Sequence, residues 1–291
     1  MTHRPPAALD WLLLLILTAI WGLSFVFIKR AIAVYTPLQM AMWRMVLALV
    51  AYAPVAWLFW PRIDWTRWRA LLVVAFCGSA IPNFLFAVAQ TRVSSSLAGV
   101  LNSLTPLFTL LLGAVFFHFR PSSSKIMGVT IGFLGAAALV FAQRGRVVDG
   151  QIEYALLCAG ATLCYAINAN TVSRYLRDQH PAAIASGAFV LTGGLFLLGL
   201  GWSGGWSAAL AHPEGLTGLG YISYLAVLGT VGGSILYFWL LQRTSALFAT
   251  SVTYLLPVAA LIAGALDGEA VGAFDMASTA IILTGVYLAR K

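Results

Sequence analysis

Polar side chains recur at helical spacing inside stretches that are otherwise apolar. Ser79, Asn83, Phe86 and Gln90 fall on one face of a helix, and so do Ser95, Gly99, Asn102 and Pro106. Trp21, Ser24 and Phe25 share a third face, and Tyr165 and Asn168 a fourth. Amides and hydroxyls exchange hydrogen bonds with a polar solute, while indole and phenol rings offer it apolar faces. Such a set can hold a small molecule that has both kinds of surface. It is poorly equipped for bond-making. The histidines, His3, His118, His180 and His212, do not cluster in the sequence. There is no His-Glu-x-x-His and no acidic pair. Cys77, Cys158 and Cys164 have no metal-like spacing with histidine and read as small core residues. The expectation is a non-enzyme without cofactor or metal.

The elements that must position these residues are membrane spans. Of 291 residues, 61% are apolar and 9% are charged, against about 25% charged in a soluble domain. Stretches long enough to cross a bilayer lie at about 10–28, 36–60, 69–90, 94–118, 124–142, 152–173, 181–201, 217–241, 246–266 and 274–289. The first is longer than a signal-peptide core, so it reads as an uncleaved span. The Gly- and Trp-rich stretch from Gly201 to Gly220 reads as an interfacial loop. With the N-terminus inside, Arg4, Arg62, Arg67, Arg69, Arg120, Lys125, Arg174, Arg177, Arg243, Arg290 and Lys291 are cytoplasmic. Only Lys29, Arg30, Arg92, Arg144 and Arg146 then lie outside. The net charge of +8 is therefore a topology signal that puts both termini in the cytoplasm, not a nucleic-acid footprint.

The chain repeats itself. Residues 92–106 return as 243–257, with Arg92 on Arg243, Ala98 on Ala249, Leu104 on Leu255 and Pro106 on Pro257. The same offset carries Gly78 onto Gly229, Asn83 onto Ser234 and Phe86 onto Tyr237. At an offset shorter by seven, Trp21 falls on Tyr165, Ser24 on Asn168 and Pro37 on Pro181. Two units follow, residues 1–146 and 147–291, each of five spans. An odd number of spans inverts the second copy. The expected fold is an all-α membrane protein of ten transmembrane helices in two inverted repeats, the arrangement that supports alternating access.

With Ile20-Trp21-Gly22-Leu23-Ser24-Phe25 through Lys29, Trp43-Arg44, Leu104-Thr105-Pro106, Leu256-Pro257 and Gly268-Glu269, the chain resembles the EamA-type members of the drug/metabolite transporter superfamily. The resemblance covers nearly the whole chain. It implies a transporter of amino acids, other metabolites or drugs in the bacterial inner membrane, and its exporters of aromatic and neutral amino acids are nearest. The first unit departs from the pattern, with His118 where the second has Glu269.

The expected substrate pathway is lined by Trp21, Ser24, Ser79, Asn83, Gln90, Asn102, Tyr165, Asn168, Tyr237 and Tyr254. Pro82, Pro106, Gly233 and Pro257 are expected hinges, because proline and glycine weaken the helical ladder. Arg44 is the one basic residue well inside a span, and it reads equally as a structural anchor or a carboxylate ligand. Gly128, Gly132 and Gly135 suit close helix packing within a monomer. The partners implied are a small-molecule substrate and membrane lipid, with no nucleic acid. The absence of a deep carboxylate favours facilitated, uniport-like export. Proton-coupled export of drugs or metabolites and flipping of a lipid-linked substrate remain open alternatives.

The topology is checked by single cysteines at Ser122 and Ser207. An impermeant maleimide should reach position 122 only from the cytoplasmic side and position 207 only from outside. Labelling of both from one side contradicts the arrangement.

Overall fold

A computed structural model describes residues 6–93, 95–117, 121–142, 152–266 and 272–289. Among these the regular structure is entirely helical. Helix α1 (Ala8–Ala31) opens where the Asp10 carboxylate accepts from the Ala7 backbone N–H at 2.8 Å. Helix α2 (Pro37–Phe59) opens on a capping box between Thr36 and Gln39, with proline at its first position. Helices α3 (Trp68–Ala75) and α4 (Ile81–Ala89) are joined by a π-helical turn, Phe76–Ala80. Then come α5 (Ser95–Asn102), α6 (Thr105–Phe116), α7 (Ser123–Ala142) and α8 (Ile152–Tyr175). Helix α9 (Pro181–Trp202) again begins with proline, after His180, whose Nδ1 accepts from the Ala182 N–H.

The stretch expected as a loop is partly helical. Gly204, at φ 69°, takes the left-handed conformation that glycine tolerates, and α10 (Gly205–Ala211) follows it. Helices α11 (Gly215–Tyr224) and α12 (Gly233–Arg243) are joined by a second π-helical stretch, Leu225–Gly232. The chain ends in α13 (Ala246–Thr250), α14 (Val252–Leu266) and α15 (Ala273–Ala289). Among the described residues six helical segments are long and apolar enough to cross a membrane, and four more are apolar but shorter. The spans expected at 94–118 and 246–266 are interrupted, at Ser103–Leu104 and at Ser251.

The polarity is that of a lipid-embedded protein. Leu12, Leu15, Trp57, Val115, Phe116 and Leu198 are exposed, while Asn83, Asn102, Asn168 and Arg44 are buried. Most buried hydroxyls are satisfied inside their own helix. Thr18 donates to Leu14 O, Thr109 to Thr105 O and Ser186 to Ala182 O, at 2.7–2.8 Å.

Helix pairing follows the repeat. α1 packs against α11, α12 and α14, while α8 packs against α3, α4, α5 and α6. α2 lies along α9, and α7 lies along α15. Helix ends far apart in sequence meet. Tyr35 donates to Gly215 O, Gln39 to Ser203 O and Trp43 to Gly205 O. At the opposite end Asp10 pairs with Arg243, and Arg67 holds both Asp64 and Asp178. The Arg67 guanidinium keeps the Asp178 carboxyl below the usual carboxylate range. The Thr66 hydroxyl is the main cause of the same shift at Asp64.

At its glycines the α7–α15 contact has no room for side chains. A Cβ at Gly128 would sit 2.8 Å from Gly285 O and collide with the Ala289 backbone nitrogen. The small-residue pattern of this helix thus packs within the chain. Gly194 on α9 has nothing within 4 Å of its Cβ position. Gly128→Ala should therefore cost roughly 1–3 kcal/mol, read as a lower melting temperature in detergent. Gly194→Ala should leave the melting temperature unchanged or raise it slightly. Equal melting temperatures for the two variants contradict the packing.

Candidate functional site

Two widened turns build the site. Pro82 has no N–H and its ring crowds the carbonyl four residues back, at Gly78. The helix answers by opening into the π turn Phe76–Ala80. The second stretch, Leu225–Gly232, has no proline but carries Gly229 and Gly232, with Gly233 following. Widening frees groups that lipid cannot satisfy, and side chains from α1 and α2 take them. Trp21 Nε1 donates to Gly229 O at 2.9 Å. Tyr52 donates to Thr230 O at 3.3 Å. The Thr230 hydroxyl donates to Leu225 O at 3.1 Å and accepts from Arg44 Nε at 3.0 Å.

The contacts at the two turns are mates under the sequence repeat. Trp21 packs on Tyr237 with ring centroids 5.5 Å apart, and its mate Tyr165 packs on Phe86 at 6.2 Å. A Cβ at Gly78 would lie 2.9 Å from Asn168 Cγ, and one at Gly229 would lie 3.4 Å from Ser24 Oγ. Gly78 is the mate of Gly229, and Asn168 is the mate of Ser24. Each pair joins a residue before position 142 to one after position 152.

Between the turns lies a cavity of about 100 Å³. A single water needs roughly 10–15 Å³, so the space suits a small organic molecule. Its apolar walls include Trp21, Phe25, Phe86, Tyr165, Tyr237 and Phe238. Its polar groups include Arg44, Asn83, Asn102 and Asn168. Asn168 is buried and its Oδ1 has no hydrogen-bond partner. That is the kind of orphan a bound solute satisfies.

Of the residues expected in the pathway, Trp21, Ser24, Ser79, Asn83, Asn102, Tyr165, Asn168 and Tyr237 line this cavity. Gln90 and Tyr254 lie elsewhere. Gln90 sits at the end of α4, where its Oε1 accepts from Ser95 Oγ at 3.1 Å. Tyr254 turns towards α7, donates to Val129 O at 2.9 Å and covers Gly132. Its neighbour Thr253 faces the cavity instead.

The expected hinges flank irregular backbone. Pro82 and Gly233 each follow a π turn closely, and Pro106 is the second residue of α6, just after the Ser103–Leu104 break. Pro257 lies inside α14, beyond the break at Ser251. Thr105 was named in the sequence only within Leu104-Thr105-Pro106, not as a pathway residue, yet it lines the cavity and donates to Asn102 O at 2.7 Å. His118 and Glu269 lie outside the described residues.

The profile of the EamA-like transporter family matches residues 9–141 and again residues 153–290. An uncharacterized transporter of Archaeoglobus fulgidus is 25% identical over 96% of this chain and 97% of its own length. A protein of Escherichia coli strain K12 named a probable amino-acid metabolite efflux pump is also 25% identical, over 96% and 94%. A protein crystal structure superposes with a TM-score of 0.69 over 98% of this chain and 97% of that one. At 16% identity that likeness shows a shared fold.

The close approach of Gly78 to Asn168 is testable by a double-mutant cycle. Gly78→Ala alone should destabilise by about 1–3 kcal/mol. In an Asn168→Ala background most of that cost should vanish, a coupling of roughly 0.5–3 kcal/mol. Additive melting-temperature changes contradict the contact.

Proposed function

The chain belongs to the EamA-like transporter family, and on that premise we propose that it exports neutral, aromatic or medium-sized amino acids or related metabolites across the bacterial inner membrane. The observation that carries the reading is the cavity between the π turns, aromatic on its walls and amide-bearing within. Aromatic faces suit the apolar part of such a solute, and Asn83, Asn102 and Asn168 suit its polar end. The naming of two relatives, from Escherichia coli and Salmonella typhimurium, as probable amino-acid metabolite efflux pumps supports the same substrate class.

In this reading the units 1–146 and 147–291 are inverted five-helix repeats, ten spans in all, with both termini cytoplasmic. The double family match supports the division, and the mated contacts across the cavity support the symmetry. Rocking of one unit against the other about the breaks near Pro82, Pro106, Gly233 and Pro257 exposes the cavity to each side in turn. The protein works as a monomer, since the small-residue face of α7 is taken up by α15. No carboxylate lines the cavity among the described residues, which supports facilitated export over tight proton coupling.

Counterflow of radiolabelled phenylalanine in proteoliposomes tests the reading. The wild type should exchange it with no imposed proton gradient. Asn102→Leu should lower exchange by at least about tenfold, the size of one lost polar contact. Folding should survive, because the shorter bond from Thr105, 2.7 Å to the Asn102 backbone carbonyl, remains when the one to the side-chain oxygen at 3.3 Å is lost. Proton-driven accumulation, or lipid scrambling without amino-acid exchange, contradicts the proposal.

A further inference from the structure

Resting on the reading of this cavity as the transport site, we infer that the substrate's carboxylate is obligatory and its ammonium dispensable. The site then takes aromatic monocarboxylates as a class, 2-oxo acids and N-acylated amino acids included. Arg44 is the residue that makes the choice.

Arg44 is 7% exposed, and among the described residues it is the one formally charged side chain on the cavity wall. Its Nε edge is committed to the Thr230 hydroxyl, which is itself tied to Leu225 O. That anchor fixes the plane of the guanidinium. Its outer edge lies beside Gly229, where a built Cβ would be 3.4 Å from Arg44 Nη2. Arg44 lines the cavity, and Gly229 brings no side chain against that edge. A fork with two free N–H groups matches a carboxylate in a bidentate fashion, which a lone ammonium of lysine does not.

Among the described residues the acids lie elsewhere. Asp10 pairs with Arg243, and Asp64 and Asp178 pair with Arg67. Glu153 and Glu214 are exposed. Asp149, Asp267, Glu269 and Asp275 fall at or beyond the ends of the sequence-predicted spans. A lone cation within the membrane is costly until an anion joins it. A bound monocarboxylate neutralises the cavity. A zwitterion leaves one net positive charge there, and its ammonium meets only neutral acceptors such as Asn168 Oδ1. The cavity therefore contributes charge for the carboxylate and hydrogen bonds alone for the nitrogen.

The prediction also concerns the driving force. Each cycle that exports a monoanion moves one negative charge outward, whatever charge the protein carries between states. An inside-negative potential favours that direction, and it is neutral towards a zwitterion.

The test uses the purified full chain and four probes: phenylalanine, phenylpyruvate, phenylalaninamide and 2-phenylethylamine. Binding is read as thermal stabilisation in detergent, and transport as competition in counterflow. Phenylpyruvate should bind within about tenfold of phenylalanine, and the amide and amine at least about tenfold more weakly, as the loss of a charge-assisted pair requires. Arg44→Gln should level the four probes, with Arg44→Lys between it and wild type. In liposomes loaded with phenylpyruvate, a valinomycin potential, negative inside, should speed its efflux several-fold and leave phenylalanine efflux unchanged. Equal binding of the amine overturns the requirement for a carboxylate. Binding of phenylalanine without phenylpyruvate overturns the dispensable ammonium while amino-acid transport stands. Stabilisation by phenylpyruvate with no counterflow of phenylalanine upholds Arg44 and refutes the amino-acid reading. No stabilisation by either carboxylate refutes the role of Arg44. The wild-type probe series gives its answer whether or not the Arg44 variants fold.

Discussion

A backbone group freed inside a membrane has no water to turn to, so another part of the protein must meet it. Here the groups freed at Leu225–Gly232 are met by Trp21, Tyr52 and, through the Thr230 hydroxyl, Arg44. Those contacts place an indole and a guanidinium at the cavity wall in fixed orientations. The same widening opens the space between them. The irregular turn, the anchored side chains and the cavity thus share one cause.

The helices divide by how tightly they are held. α7 and α15 touch backbone to backbone at Gly128, Gly132 and Gly285, a contact that cannot slide without collision. The cavity walls are different. Beside the long α1, α2 and α8 they include short helices, with breaks at Ser103–Leu104 and Ser251 and π turns in α3–α4 and α11–α12. Interrupted ladders bend at lower cost than continuous ones. Rigid and compliant elements are therefore segregated, with compliance next to the cavity.

Much of this was legible in the chain. Low charge and long apolar runs announce membrane helices, and the repeat registers already pair Gly78 with Gly229 and Ser24 with Asn168. What registers cannot say is that a mate of one unit touches the partner's mate in the other. Only the helix arrangement puts Gly78 against Asn168. The π turns were also hidden, since a widened turn has the same composition as an ordinary one. Tyr254 shows the limit of facial reasoning. Neighbours on a helix point about 100° apart, so Thr253 at the cavity wall turns Tyr254 away towards Gly132. Gln90 shows another, because at the end of α4 a local partner, Ser95, is closer than the cavity. The Gly201–Gly220 stretch hides a short helix because glycine and tryptophan also suit loops.

The cross-chain contacts set a schedule for biogenesis. Arg44 and the Thr230 hydroxyl that anchors it are 186 residues apart. Ribosomes add roughly 5–20 residues per second, so the guanidinium enters the membrane on the order of ten to forty seconds before its partner exists. Asn168 likewise emerges well after the Gly78 it packs against. The first half of the nascent chain must spend that interval with a buried cation and half-built turns facing lipid, the insertion machinery or water. Whatever shelters it then is as necessary to the finished protein as the contacts that replace it.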